Sequence, residues 1–337
     1  MHNNQPCHVL ITGATGSLGP HVVEAFHHAG HHVRTFSLDP LEGREFSNEI
    51  DVRTGDVTDQ QALETALEAI DIVIHLAALL HVLDPSPQVL EGYRRINVQG
   101  TTNLVEAATR SGVKRIVLFS TIAIYGRGAS GQVLDEGTQP QPETQYARSK
   151  LEAEQIVLAS KRSDGQPLGV VLRLAAIYGA RVKGNYRRLV RSLARGQFVP
   201  IGDGRNRRTL IYDRDAARAA LLAAQHPDAC GGVFNVSDGE FHTMREILSV
   251  ICAILERKTP RICIPVRPAR LGAALLEDTA RFFGRRSPVT RATIDKYTED
   301  IAVDSAKIRS ELGFESDFTL TDGWRQAVHE MRLEGEL

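Results

Sequence analysis

Val9-Leu10-Ile11-Thr12-Gly13-Ala14-Thr15-Gly16-Ser17-Leu18-Gly19 is the stretch on which the reading of the fold turns. Three apolar residues suited to a strand run directly into a glycine-rich turn. Val22-Val23-Glu24-Ala25-Phe26 then reads as the helix that follows. Glycine lets the backbone bend sharply and approach a pyrophosphate closely, and the helix N-terminus offers N–H groups and a positive dipole end. A glycine triplet alone is a weak signal. The strand before it and the helix after it supply the context it needs.

Outward from this turn, short apolar runs alternate with amphipathic stretches. Strands are predicted at His8–Ile11, His32–Phe36, Ile72–His75, Arg115–Phe119 and Gly169–Arg173, with helices at Gln60–Ala69 and Val98–Ser111 among those between them. That rhythm predicts an α/β fold, a Rossmann-type doubly wound parallel sheet. Beyond about residue 176 the rhythm loosens and Pro, Gly and Arg become frequent. The expected division is a dinucleotide-binding domain at 1–175, with 207–226 returning to it as a helix. A smaller interleaved C-terminal substrate lobe would take 176–206 and most of 227–337.

With 337 residues, 42% hydrophobic and 24% charged, the chain has an ordinary globular composition. A formal net charge of −1 gives no reason to expect nucleic acid or a membrane as partner. The longest apolar run, from Ile72 to Leu83, is too short to span a bilayer. Four cysteines without CxxC spacing read as reduced thiols, and no signal peptide is recognised, so a cytoplasmic location is expected. His27, His28, His31 and His32 cluster, but no Cys or carboxylate completes a ligand set, and no metal is expected.

Two further segments carry chemistry. Tyr146 and Lys150 are four apart at the start of a helical stretch, hence on one face. An ammonium beside a phenol favours the phenolate, which suits proton exchange with a hydroxyl while hydride leaves the carbon. Ser120 and Thr121 end a buried strand, where ligands of open α/β sheets bind, and their hydroxyls suit contact with a reacting oxygen.

With these motifs in this order, the chain resembles the extended short-chain dehydrogenase/reductase family, in its NAD-dependent epimerase/dehydratase branch. The resemblance runs through Gly13–Gly19, Gly55-Asp56-Val57, His75-Leu76-Ala77-Ala78, Asn97–Thr101, Thr121, Tyr146 with Lys150, Gly202-Asp203-Gly204 with Arg208, and Asp304–Phe314. It implies that Thr121, Tyr146 and Lys150 form the catalytic triad, with Lys150 also holding the nicotinamide ribose. The cofactor residues it implies are Gly13, Thr15, Gly16, Ser17, Leu18 and Gly19 in the turn. With them go Asp56 and Val57 beside the adenine, Leu76, Ala77 and Ala78 on the adenosine side, and Asn97. The positions that select the cofactor fall on Ser37 and Leu38. Asp39, displaced from them, favours NAD, while Arg44 leaves NADP open. Substrate residues expected are Ser120, Thr121, Asn185, Asn206 and Arg208, the last at the place for a nucleotide diphosphate. The resemblance further implies a homodimer built on the Val98–Ala108 and Leu151–Leu158 helices.

Dehydration is argued down by Ile122 and Ala123, which stand where the family's dehydratases carry an acid pair. Three readings remain. The first is a UDP-hexose 4-epimerase-like enzyme acting at the C4 hydroxyl of a nucleotide sugar. The second is a C4 reductase or dehydrogenase of UDP-4-keto sugars. The third is a 3β-hydroxysteroid-dehydrogenase-like oxidoreductase, with Leu271–Phe283 lining part of an apolar pocket. Two departures from UDP-galactose 4-epimerases bear on the choice. Ala176 occupies the slot of an asparagine, and Arg291 is only a neighbour of their late arginine position. A non-enzymatic cofactor-binding regulator is disfavoured by the intact triad.

Overall fold

The computed structural model describes residues 5–41, 49–80, 82, 86–128, 131–283, 285, 287 and 289–337. In chain order the first half gives β1 (His8–Thr12), α1 (Gly19–His28), β2 (His32–Ser37), β3 (Asp51–Thr54) and α2 (Gln60–Ala66). It continues with β4 (Ile72–His75), α3 (Pro87–Gly92), a π-helical turn (Tyr93–Gln99) and α4 (Gly100–Arg110). Next come β5 (Arg115–Thr121), a 3₁₀ turn (Ile122–Tyr125), α5 (Gln145–Ala159) and β6 (Gly169–Leu174).

The second half holds β7 (Ala176–Tyr178), α6 (Asn185–Ala194), β8 (Arg207–Arg208), β9 (Leu210–Tyr212), α7 (Asp213–Gln225) and β10 (Val233–Val236). It ends with β11 (His242–Thr243), α8 (Met244–Ile254), α9 (Val266–Phe282), α10 (Arg291–Thr298), α11 (Ala306–Leu312) and α12 (Leu320–Leu333).

Seven strands form one parallel sheet in the order β10-β6-β5-β4-β1-β2-β3. This is the doubly wound order with the switch point between β1 and β4, where the glycine-rich turn leaves β1. A parallel sheet covered by helices is buried on both faces, which explains its near-continuous apolar strands. Val9, Ile11, Ile72, Ile74, Val117 and Phe119 point into one core layer, whereas Leu10, Val73, Ile116 and Leu118 point into the other.

The expected returning helix is α7. Its Ala216, Ala217, Ala220, Ala223 and Ala224 are buried, and their small side chains let it pack closely against α1. The chain comes back to the sheet once more than expected. Val233–Val236, within the stretch assigned mainly to the substrate lobe, pairs with β6 as the seventh strand. The second lobe has its own core, where α6, α8 and α12 enclose Leu189, Ile247, Ile251, Trp324 and Val328. Trp324 stacks on Tyr178 at 4.4 Å between ring centres.

α9 departs from expectation. Only Ala273 on this helix is buried, while Leu271, Leu275 and Phe282 are 68%, 71% and 85% exposed. These side chains face solvent in this structure, where Leu271–Phe283 was expected to line part of an apolar pocket.

Candidate active site

The glycine-rich turn forms because two positions exclude a side chain. Gly13 sits at φ +71°, and a Cβ there would lie 2.7 Å from the Ala77 amide nitrogen. At Gly19 a Cβ would lie 2.0 Å from the Ala14 carbonyl oxygen, which brings α1 tight against the turn. The Gly16 N–H donates to the Gly13 carbonyl (2.9 Å), and the Gly19 N–H to that of Gly16 (3.1 Å). Among the described residues, the backbone N–H groups of Ser17 and Leu18 have no acceptor within the protein, and no side chain caps α1 or places an acid in its first turn. A phosphate fits this cradle: donors at a helix N-terminus, no competing carboxylate, and backbone close enough for contact. Gly13→Ala is expected to destabilise the protein by about 1–3 kcal/mol from the positive φ alone. The urea midpoint would fall and NAD binding weaken together; an unchanged midpoint would contradict the close approach.

The other positions expected to meet the cofactor lie after β4, after β3 and at the end of β2. Leu76, Ala77 and Ala78 follow β4 directly, half-buried beside Gly13. Val57 is buried against Gly100, where a Cβ would meet its methyl at 2.8 Å. Asp56 accepts from the Thr58 N–H (2.9 Å) and keeps its carboxylate partly exposed, 4.0 Å from the Arg95 guanidinium. Ser37 is buried and its hydroxyl receives the Thr15 N–H at 3.4 Å, while Asp39 is exposed at the end of β2. Arg44, the residue that left NADP open, lies outside the described residues.

Beneath the cradle runs a hydrogen-bond chain that the sequence did not announce. Thr101 spends its hydroxyl proton on the Asn97 carbonyl (2.6 Å), so it receives a proton from His75 Nε2 (3.0 Å). His75 Nδ1 is then the acceptor for the Thr12 hydroxyl at 2.7 Å. Burial, aided by the Lys150 cation, pushes the His75 pKa down to about 3, so the ring is neutral and structural. Asn97 sits in the π-helical turn, a feature often found at functional sites. Its side chain accepts from the Leu79 N–H (2.7 Å) and donates to the Ser149 hydroxyl (3.0 Å), which in turn donates to the Tyr146 carbonyl (2.8 Å). Asn97 thus ties the loop after β4 to the start of α5.

α5 begins at Gln145, capped by the Thr144 hydroxyl on the Ala147 N–H at 3.1 Å, and runs along β5 and the 3₁₀ turn. Tyr146 and Lys150 lie in the first turns of this helix, and Thr121 ends β5. The Thr121 hydroxyl accepts the Ala123 N–H at 3.2 Å, capping the 3₁₀ turn and leaving its own proton for a ligand. Tyr146 packs against Tyr93, with ring centres 6.0 Å apart at 59°. Lys150 is buried; desolvation drives its pKa down to about 8, against the opposing pull of Glu154.

The electrostatics correct one expectation. Tyr146 is not brought towards the phenolate by Lys150 in this structure. Burial, with the nearby Tyr93 phenol, pushes its pKa up to about 12. Losing water around a phenolate is the larger cause, and the Tyr93 phenol adds to it.

Ser120 has a different neighbour from the one expected. It is buried and donates to the Glu154 carboxylate. Glu154 also receives Arg173 Nη2 (2.8 Å) and Nε (3.1 Å), and Arg173 Nη1 donates to the Tyr125 hydroxyl at 3.0 Å. Tyr125 donates onward to Asn235 on β10 (2.8 Å), whose N–H meets Glu136 at 2.6 Å. A fully hydrogen-bonded buried network of this kind holds α5, β5, β6 and β10 in one arrangement. One sequence signal pointed to it: Glu154 continues the stripe of Tyr146 and Lys150 at a spacing of four.

The substrate positions separate into two groups. Asn185 opens α6, exposed, after Gly184. Arg208 and Asn206 are instead engaged with the end of α10. Arg208 Nη2 donates to the Lys296 carbonyl and to that of Tyr297 (2.9 Å), and Nη1 stands 3.8 Å from Glu299. The Asn206 side-chain amide donates to the carbonyls of Tyr297 and Glu299, both at 3.0 Å. A cation at a helix C-terminus is favourable, since the terminal carbonyls lack intrahelical partners. Arg291 pairs with Glu277 (3.1 Å) and Asp278 (3.1 Å), fastening α10 to α9.

Comparison with known proteins agrees with this geometry. The NAD dependent epimerase/dehydratase family matches residues 9–237. An N-acetyl-alpha-D-glucosaminyl-diphospho-ditrans,octacis-undecaprenol 4-epimerase of Escherichia coli O157:H7 is 30% identical, over 94% of this chain and 92% of that protein. A UDP-glucose 4-epimerase of Vibrio cholerae is 28% identical over 96% of this chain and 95% of its own length. The solved structure of MoeE5 in complex with UDP-glucuronic acid and NAD superposes with a TM-score of 0.77 at 27% identity, covering 97% of this chain and 99% of that one. The phosphate cradle, the Tyr146–Lys150 stripe and these full-length likenesses agree, and the chain belongs to the NAD-dependent epimerase/dehydratase family of extended short-chain dehydrogenase/reductase enzymes.

Proposed function

We propose that the protein interconverts nucleotide sugars that differ in configuration at C4. What supports this reading is Thr121 at the end of β5 with Tyr146 and Lys150 on α5, which packs along that strand, together with apolar Ile122 and Ala123 where elimination would need acids. Bound NAD supplies the acceptor and donor of hydride. In this reading Tyr146 takes the proton of the C4 hydroxyl as that carbon is oxidised, and gives it back to the ketone oxygen on reduction. The Thr121 hydroxyl donates a hydrogen bond to the same oxygen and fixes its distance from Tyr146. Lys150 binds the nicotinamide ribose. Burial that pushes the Tyr146 pKa up to about 12 favours its protonated form, which suits the acid of the return half-reaction.

Inversion requires the ketone to turn over within the site before hydride returns to its other face. Arg208 and Asn206 hold the end of α10 through its terminal carbonyls. The same reading gives Arg208 a second role as the diphosphate ligand, and gives α4 and α5 the role of joining two copies.

A C4 reductase of UDP-4-keto sugars is the second reading, favoured by Ala176 in the slot where UDP-galactose 4-epimerases carry asparagine. One experiment separates the two. The purified protein is incubated without added cofactor with UDP-glucose, UDP-galactose and their N-acetyl forms, and the products are resolved by NMR. A C4-inverted sugar is the expected result. Consumption of NADH or NADPH on a UDP-4-keto sugar, without inversion, would replace the epimerase by the reductase; no turnover in either assay would overturn nucleotide-sugar chemistry.

A further inference from the structure

We propose that α9 docks the protein on an anionic lipid bilayer, lying in the interface with its apolar face turned into the headgroup region. At 3.6 residues per turn, Leu271, Leu275, Leu276, Phe282 and Phe283 fall within an arc of about 140°, roughly opposite the side that carries Arg270 and Glu277. All five are large, and each is at least 55% exposed. The helix meets the body through buried Ala273 and through ion pairs to α10, Arg270 with Asp295 (2.8 Å) and Arg291 with Glu277 (3.1 Å). The apolar arc points elsewhere. Ile262, just before the helix, is 80% exposed and extends the patch. An exposed apolar surface of this extent marks a docking surface rather than a fold requirement.

The charge pattern says what covers it. From Arg257 to Thr298, where α10 ends, the sequence holds ten Lys and Arg against three acids, a net +7 in a chain whose total is −1. The remaining residues must therefore carry −8. Net charge near zero conceals a strongly basic segment on an acidic body. Arg257, Lys258 and Arg261 are exposed ahead of α9, Arg267 lies on it, and Arg285 follows it. A basic helix with one broad apolar face and aromatic residues at one end has the composition of an interfacial helix. Each basic side chain near an anionic leaflet adds attraction, and the apolar arc adds burial that a purely ionic partner would not supply.

A second copy is the poorer occupant. A two-fold interface brings the same patch against itself, so the exposed Arg257, Lys258, Arg261, Arg267 and Arg285 of one copy would meet those of the other. α9 has 17 residues, and no helix among the described residues is long and apolar enough to cross a membrane. The association is therefore peripheral, and it departs from the expectation of no membrane partner that net charge suggested. It does not depend on which sugar the active site takes.

The test is flotation of the full-length protein with vesicles of phosphatidylcholine alone, or with about one third phosphatidylglycerol, at low and high salt. Binding is expected on the anionic vesicles only, weakening at high salt. In the double variant Leu275→Glu/Phe282→Glu it should fall by more than about ten-fold. Circular dichroism and a thermal melt check that the variant keeps its fold, and Arg267→Glu offers a milder second variant. No flotation of the wild type, or equal flotation of both forms, would overturn the proposal. So would a wild-type dimer in ultracentrifugation that becomes a monomer in the double variant, since that would assign the face to a second copy.

Discussion

Tyr146→Phe is expected to lower kcat by about 10²–10⁴-fold, the usual contribution of a positioned acid–base group. Its NAD dissociation constant should change by less than about three-fold, because only one oxygen is lost. The ring is retained, and with it the packing on Tyr93 at 6.0 Å. The backbone carbonyl that receives the Ser149 hydroxyl also stays in place. Calorimetric titration with NAD and an initial-rate assay check the two halves separately. Near-normal kcat would remove Tyr146 from proton transfer, and parallel loss of NAD binding would show that the change disturbed the cradle instead.

The second large effect concerns a residue that need touch no substrate. Glu154→Ala should destabilise the protein by about 3–5 kcal/mol, because it strands a buried guanidinium. Arg173 and Glu154 have side chains only 7% and 1% exposed, and Ser120 would lose its acceptor as well. Urea denaturation gives the size. The double variant Glu154→Leu/Arg173→Met should recover much of the loss, since replacing both members of a buried pair is often tolerated. A kinetic signature accompanies the stability change. Glu154 raises the pKa of Lys150, which stands at about 8, so its removal moves that pKa lower. The alkaline limb of the kcat profile, where Lys150 loses its proton, should shift to lower pH. A loss below about 1 kcal/mol would mean that the pair is no more than an exposed one energetically.

The sheet was legible wherever strands are buried on both faces. β1, β4, β5 and β6 announce themselves as apolar runs because helices cover them above and below. β3 did not, since Asp51-Val52-Arg53-Thr54 is an edge strand with mostly exposed side chains and no apolar run. β10 is four residues long, and nothing local ties it to β6, some sixty residues earlier. Val98–Ser111 reads as one helix; its first residues instead widen into the π-helical turn, and the periodicity of apolar residues hardly registers one extra residue per turn.

At the site, the glycine-rich turn and the Tyr146–Lys150 spacing were readable because each is a local geometric demand. Glu154 and Arg173 were harder, since their meaning lies in a contact between α5 and β6. Arg208 shows the limit of motif reading. Its position in the pattern suggested an anion, and the fold supplies carbonyls at the end of α10 for the same donors.

On the proposed diphosphate role, that double claim on one guanidinium would make Arg208 a latch. An anion drawing Nη2 away must displace two carbonyls, so its apparent affinity is reduced by the fraction of time Arg208 spends fastened. Once displaced, the end of α10 would lose that cation, while the Asn206 amide would still hold the Tyr297 and Glu299 carbonyls. On that reading, occupancy at the diphosphate and the hold on the end of α10 would be linked reciprocally: whatever releases those carbonyls would favour the anion by the same factor.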